Sequence, residues 1–186
     1  MLALAVAGGA AGDSSDGRQL VYAGARLAFE EGGPRADQVT DLFVVRADGT
    51  PLRRPTRTTD SEDAPGWSPD GGRVAYSRGT PSCHANACRG ALKADIWTLS
   101  LAAGTPRRLT RGRAQGLIDT SPAWSPDGTQ IAFSRRACCD VSPADGVYTV
   151  GADGTGVRRL ADVRALALDW GPGGGTLAVS VEGAAV

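Results

Sequence analysis

Only one histidine, His84, occurs in 186 residues. A Ser-His-Asp site would have to recruit it from a cysteine-rich segment. No G-x-S-x-G elbow is present to seat a hydrolase serine. A phosphate-cradling glycine loop is missing, and so is an aromatic-basic stripe for single-stranded nucleic acid. Neither sign of charge is in excess, with 20 Lys+Arg against 20 Asp+Glu. The chain therefore has no global attraction to nucleic acid or anionic membrane. No stretch reaches the ~20 apolar residues that span a bilayer. No catalytic residue, cofactor or nucleic-acid partner is expected, and no transmembrane segment.

Gly 26 and Pro 11 would suit disorder if hydrophobic strands were missing. Here they punctuate short, regularly spaced strands, which favours an all-β chain. Residues 1–16 read as a signal-peptide-like or disordered N-terminus. Met1 to Ala10 is apolar and small, with Ala5-Val6-Ala7 as an A-x-A cleavage pattern, but it carries no cationic start. Residues 17–186 read as one domain, long enough for a real core.

One phrase occurs twice: Trp67-Ser68-Pro69-Asp70-Gly71 and Trp124-Ser125-Pro126-Asp127-Gly128. A decayed copy starts at Trp170-Gly171-Pro172-Gly173-Gly174. Proline presets φ, Asp bonds locally and Gly takes positive φ, so each phrase is a turn between strands. The strands after it read large-Ala-large: Val74-Ala75-Tyr76, Ile131-Ala132-Phe133 and Leu177-Ala178-Val179. Leu27-Ala28-Phe29 fits the same pattern and is taken as the second strand of a first unit that starts near Ala25. Period-2 alternation puts bulk on one sheet face and Ala on the other, so each sheet can wedge between two similar ones. Third strands carry Phe43, Trp97 and Tyr148, 54 and 51 residues apart (43 to 97, 97 to 148). Turns such as Ala47-Asp48-Gly49-Thr50 and Ala152-Asp153-Gly154-Thr155 follow, then fourth strands at Arg53-Arg54, Arg107-Arg108 and Arg158-Arg159. Four strands in a repeat of this length make a β-propeller blade. The expected fold is all-β, with about three complete four-stranded antiparallel meanders and a partial fourth in an incomplete ring. Leu20-Val21-Tyr22 is available to pair with the incomplete fourth blade.

The order P-x-W-S-P-D-G, then I/V-A-F/Y-S, D-I-W, A-D-G-T and R-R-L-T resembles the TolB-type propeller repeat, also called the WD-like or PD40 repeat. The resemblance covers residues 18 to 181. It implies six or seven blades in a closed ring, on the order of 250–300 residues at this repeat length. It implies little about activity, because this repeat serves many functions.

Trp67 and Trp124 recur in register, so packing between blades is their expected role. Glu62, Asp63 and Asp119 precede the Pro-x-Trp of two units, with Glu62 and Asp119 57 residues apart, as are the two tryptophans. They are candidates for a polar rim at the channel mouth, against the commoner role of accepting backbone N–H bonds. Cys83, Cys88, Cys138 and Cys139 lie in equivalent loops of adjacent units and are disulfide candidates, by a bridge between loops or a local Cys83–Cys88 bond. Zinc held by Cys83, His84, Cys88 and one of Cys138 or Cys139 is the alternative, but adjacent Cys-His is not a standard ligand spacing. No metal site is expected. The resemblance implies a non-catalytic module of the cell envelope or secreted fraction, periplasmic or extracellular, that binds a protein or small ligand. The competing expectation is the propeller of a prolyl-oligopeptidase-type serine peptidase whose catalytic domain is absent from this chain.

Overall fold

The computed structural model describes residues 4–5, 19–26, 29–30, 33–34, 39–46, 51–80, 93–137 and 142–181. The four cysteines, His84 and the Ala47–Thr50 turn lie outside the described residues, as does residues 1–16 apart from Leu4–Ala5.

The first blade comprises β1 (Leu4–Ala5), β2 (Gln19–Arg26), β5 (Val39–Arg46) and β6 (Pro51–Arg53), paired in that order, all antiparallel. Between β2 and β5 runs a small hairpin, β3 (Phe29–Glu30) with β4 (Gly33–Pro34). The second blade is β7 (Ser61–Trp67), β8 (Arg73–Gly79), β9 (Ala94–Ser100) and β10 (Pro106–Arg108). The third is β11 (Leu117–Trp124), β12 (Gln130–Ala137), β13 (Gly146–Gly151) and β14 (Arg158–Ala161). A two-stranded hairpin, β15 (Ala165–Trp170) with β16 (Leu177–Val181), forms the inner half of a fourth. The second and third blades touch edge to edge through one parallel bridge, Ile118↔Ala94, while every hairpin closes within its own blade.

The register corrects the reading of the first unit. Tyr22 lies opposite Phe43, as Tyr76 lies opposite Trp97 and Phe133 opposite Tyr148. The second strand of the first blade is therefore β2, with Leu20-Val21-Tyr22 at its centre, and not Leu27-Ala28-Phe29. Leu20-Val21-Tyr22 consequently does not pair with the fourth blade. A large-Ala-large triplet arises easily in an Ala-rich chain. Opposed aromatics are the stronger register signal, because cross-strand pairs stabilise a sheet by contact.

The two faces of the sheets differ as their alternation requires. Val74, Tyr76 and Leu99 pack against Leu42 and Val44 of the first blade. The opposite face of the same blade presents Ala75 and Ile96 to Trp124, Ile131, Phe133 and Val150 of the third. Bulk thus meets small residues at the second joint, and full burial of each large side chain stabilises by ~1.5–3 kcal/mol.

The paired arginines of the fourth strands divide their work. The second of each pair clasps its own blade: Arg54 ion-pairs with Asp41, and Arg108 with Asp95 at 3.2 Å. The Thr that ends each motif accepts a backbone N–H of the third strand, Leu42 to Thr56 at 2.8 Å and Ile96 to Thr110 at 2.9 Å. In the third blade Gly146 and Ala161 replace that Asp and Thr together. A Cβ on Gly146 would lie 2.5 Å from the Ala161 carbonyl oxygen and 2.9 Å from Arg159 Nε, so the space of the lost carboxylate is filled. The first arginine of the first two pairs crosses to the next blade. Arg53 donates to the Leu101 carbonyl at 2.8 Å, and Arg107 to the Asp153 carbonyl at 2.5 Å.

Candidate functional site

The innermost strands β7 and β11 carry all three rim candidates. Each strand breaks its pairing at the same place, between Asp63 and Gly66 and between Thr120 and Ala123. Ala64 (φ 51°) and Ser121 (φ 54°) occupy the left-handed region there, immediately before Pro65 and Pro122. An extra residue in this conformation makes a β-bulge, which re-aims the side chains beside it. A non-glycine residue held at positive φ costs ~1–2 kcal/mol, so the surrounding packing must hold it.

Glu62 and Asp119 precede the bulges and are fully buried, at 0% exposure. Each faces an arginine across its hairpin, Glu62↔Arg78 and Asp119↔Arg135. Arg135 donates through Nε and Nη2 to the two Asp119 oxygens at 2.7 and 2.8 Å. Arg78 stands 3.8 Å from Glu62 and donates to Asp60 at 3.1 Å. Arg113 donates to the same Asp60 oxygen at 3.2 Å, and its backbone N–H donates to Asp95 at 2.8 Å. The arginines also stack, Arg78 over Trp97 at 4.9 Å and Arg135 over Tyr148 at 4.8 Å.

Burial pushes the Glu62 carboxyl above the usual glutamate range, against hydrogen bonds from Thr58 and Thr56 that pull it down. The Thr58 hydroxyl donates to Glu62 Oε1 at 2.5 Å, while Glu62 Oε2 and the Tyr76 hydroxyl are buried with no hydrogen-bond partner among the described residues. Burial raises Asp95 as well, opposed by the Arg113 backbone N–H and Arg108. Asp119 and Asp95 are thus tied to arginines within their own blades, while Glu62 keeps one buried oxygen without a partner among the described residues.

Asp63 is placed differently. It is exposed and accepts a 3.0 Å hydrogen bond from the Thr40 hydroxyl of the first blade. It lines a crevice of about 50 Å³ in which Ser61, Ser77, Thr80 and Thr120 mix with the apolar Ala94 and Ile118. That volume suits a water or the tip of one side chain, far below the ~300–1,000 Å³ of a substrate pocket. The three candidates thus separate into two buried carboxylates, each facing an arginine, and one exposed carboxylate. Asp60, Arg78, Arg113 and Arg135 complete the network. The equal spacing of Arg78 and Arg135, 57 residues, is the sequence signal for two of them.

At the other end of the hairpins lies an open cleft of about 430 Å³, lined by Asp127, Gln130, Trp170 and Pro172. Among the described residues no group of three or more His, Cys, Asp or Glu side chains could hold a metal ion. No helix among them is long and apolar enough to cross a membrane.

No protein-family model matches the chain. Solved structures do. A structure assigned to TolB from Agrobacterium tumefaciens aligns with 79% of the chain and 46% of its own length, at TM-score 0.57 and 23% identity. TolB from Acinetobacter baumannii aligns with 76% of the chain and 32% of its own length, at TM-score 0.55 and 20% identity. The tricorn protease aligns with 82% of the chain and 13% of its own length, at TM-score 0.51 and 17% identity. The chain therefore spans less than half the length of each of these proteins, and at these identities the likeness concerns fold alone. The described residues form an arc with a TolB-like β-propeller fold, made of three four-stranded blades and the inner hairpin of a fourth.

Proposed function

We propose that the chain is a non-catalytic binding or scaffold module of the cell envelope, periplasmic or extracellular, which takes a protein or small ligand on the face carrying Asp63 and Thr120. The supporting observation is the repeated bulge. It recurs at the same register in successive blades and sets a polar residue, Asp63 or Thr120, beside the inter-blade crevice. Backbone strain held at equivalent positions, next to the exposed Asp63 and the half-buried Thr120, marks a surface kept for contact. The buried ion pairs behind it supply rigidity, as a binding surface needs in order to limit the entropy lost on association. Cys83, Cys88, Cys138 and Cys139 are proposed to form disulfides in that oxidising compartment. Thiol titration with and without reductant tests this, and four thiols reactive in unreduced protein would exclude it.

Photo-crosslinking in intact cells tests the main reading. A benzoylphenylalanine at position 63 or 120 should give a discrete adduct in the envelope or secreted fraction, and one at exposed Arg136 should not. Equal labelling at all three positions, or a cytoplasmic location of the chain, would overturn it.

The likeness to the tricorn protease favours a second reading, a propeller that serves a peptidase. Cleavage of peptide substrates by the purified gene product, abolished by a serine-hydrolase inhibitor, would establish that reading in place of the first.

A further inference from the structure

The repeat does not ask for a carboxylate at position 63. Asp63 stands four residues before Trp67, as Thr120 stands before Trp124 and Leu166 before Trp170, so a hydroxyl or an apolar side chain serves the fold there. The other acids at this end of the second and third blades have arginines. Asp60, Glu62, Asp95 and Asp119 each lie within 3.8 Å of one. Asp63 has no ion pair among the described residues. Its one hydrogen bond to the carboxylate among them comes from Thr40, out of the roughly four that a carboxylate can accept.

The crevice beside it joins acceptors to apolar surface. Ser77, buried and directly opposite Asp63, donates to the Asp63 carbonyl at 3.1 Å. With its proton committed, Ser77 offers only lone pairs to a further partner. Ala94 and Ile118, both buried, lie in the same lining. Lys93, the only lysine in the sequence, is exposed and does not line the crevice.

The geometry points to this crevice as a binding site for a primary ammonium on an alkyl chain, either the tip of a lysine or a small aliphatic amine. The ammonium donates to Asp63 and to the Ser77 hydroxyl. The adjoining methylenes lie on Ala94 and Ile118, as a lysine stem covers apolar surface. An ammonium is a compact charge with three donors and suits a space of about 50 Å³, whereas guanidinium is a wider planar fork. A metal ion such as calcium takes about six to eight oxygens, and Ala94 and Ile118 bring no side-chain oxygen. The assignment rests on the reading that the face with Asp63 and Thr120 is a contact surface, and it names the chemistry recognised there.

Nitrogen-15 spectra of the whole chain, titrated at constant ionic strength, test it. The probes are Nα-acetyl-lysine methylamide and butylammonium. Both should give saturable shifts at the amides of Ser77, Thr80 and Thr120. Tighter binding of the lysine derivative would assign the site to a peptide, and equal binding to a free amine. Acetylation of the probe's Nε should abolish the shifts. Asp63→Asn keeps the acceptor for Thr40 and removes the charge, so its spectrum should otherwise be preserved while affinity falls about tenfold or more. Asp162→Asn, at an exposed acid elsewhere, should leave affinity unchanged. Equal binding of the acetylated probe, equal affinity of Asp63→Asn, displacement of the amine by an equal concentration of potassium, or shifts centred on Asp127 and Trp170 instead would overturn the inference. The two readings fail separately. A crosslink from position 120 that survives Asp63→Asn undiminished would keep the contact surface and remove the ammonium site. Amine binding without any adduct in cells would do the reverse.

Discussion

Arg135 faces Asp119 across the hairpin of the third blade and holds both of its carboxylate oxygens. The equivalent pair in the second blade is the looser Glu62 and Arg78. In the fourth, Ala165 lies opposite Val181, so the acid and the base are replaced together by apolar residues. Removing one member of a buried pair strands the other charge, whereas replacing both with apolar groups can be close to neutral. Asp119→Ala should therefore destabilise the chain by about 3–5 kcal/mol in urea unfolding. Asp119→Ala with Arg135→Val, which copies the fourth blade, should recover a substantial part of that loss. A double variant no more stable than the single one would show that stacking of Arg135 on Tyr148 outweighs the ion pair.

Glu62 gives a pH dependence whose sign follows from burial. Its folded pKa lies above its ordinary value of 4.5. A carboxyl of this kind binds its proton more tightly in the folded state, so its contribution is full below pH 4.5 and falls as pH rises through the folded pKa. Glutamine at this position cannot ionise. The stability of Glu62→Gln relative to the unmodified chain should accordingly increase from about pH 4 to pH 8. Denaturant midpoints measured across that range check this. A difference that shrinks with rising pH would mean that Arg78 stabilises the charged form more than burial disfavours it.

The repeat phrase and its spacing made the architecture legible, because Trp-Ser-Pro-Asp-Gly is local turn chemistry whose periodicity survives in the sequence. The first blade was misread for a reason that is also physical. Its turn phrase is eroded to Ser14-Ser15-Asp16-Gly17, yet Asp16 stands six residues before Tyr22, as Asp70 does before Tyr76 and Asp127 before Phe133. Spacing from acid to aromatic was the surviving signal, and alternation around an Ala was not. The ion pairs were harder to read. Which arginine faces Glu62 depends on the offset introduced by the bulge at Ala64, and positive φ at a non-glycine residue leaves no trace in composition. The buried state of Glu62 and Asp119 follows from those partners, so a rim role looked open to both until the register was known.

The turn phrase is held by its serine. Ser125 Oγ accepts the Gln130 backbone N–H at 2.9 Å and lies 2.6 Å from Asp127 Oδ1, and Ser68 repeats this with Arg73 and Asp70. Ser125→Ala removes the acceptor and leaves the N–H to water. A cost of about 0.5–1.5 kcal/mol is expected in thermal or urea unfolding, and a similar one for Ser68→Ala. A neutral effect in both would mean that the proline and the positive-φ glycine suffice to set the turn.

The two repeated tryptophans are not equal in energy. Trp124 is buried among Ile96, Leu109, Ile131 and Phe133, and Arg73 of the preceding blade stacks on its ring at 4.6 Å. Trp67 is only partly buried against the first joint. Trp124→Ala should cost about 3–5 kcal/mol, because the cavity it leaves lies between two rigid sheets. Arg73→Ala should cost only about 0.5–1 kcal/mol, as expected for an incompletely buried cation–π contact. Trp67→Ala should fall between the two. Urea unfolding of the three variants checks the order, and a cycle that adds Arg73→Ala to Trp124→Ala isolates the stacking term. If Trp67→Ala proved the most costly, the first joint, and not the second, would be the chief source of cohesion in the arc.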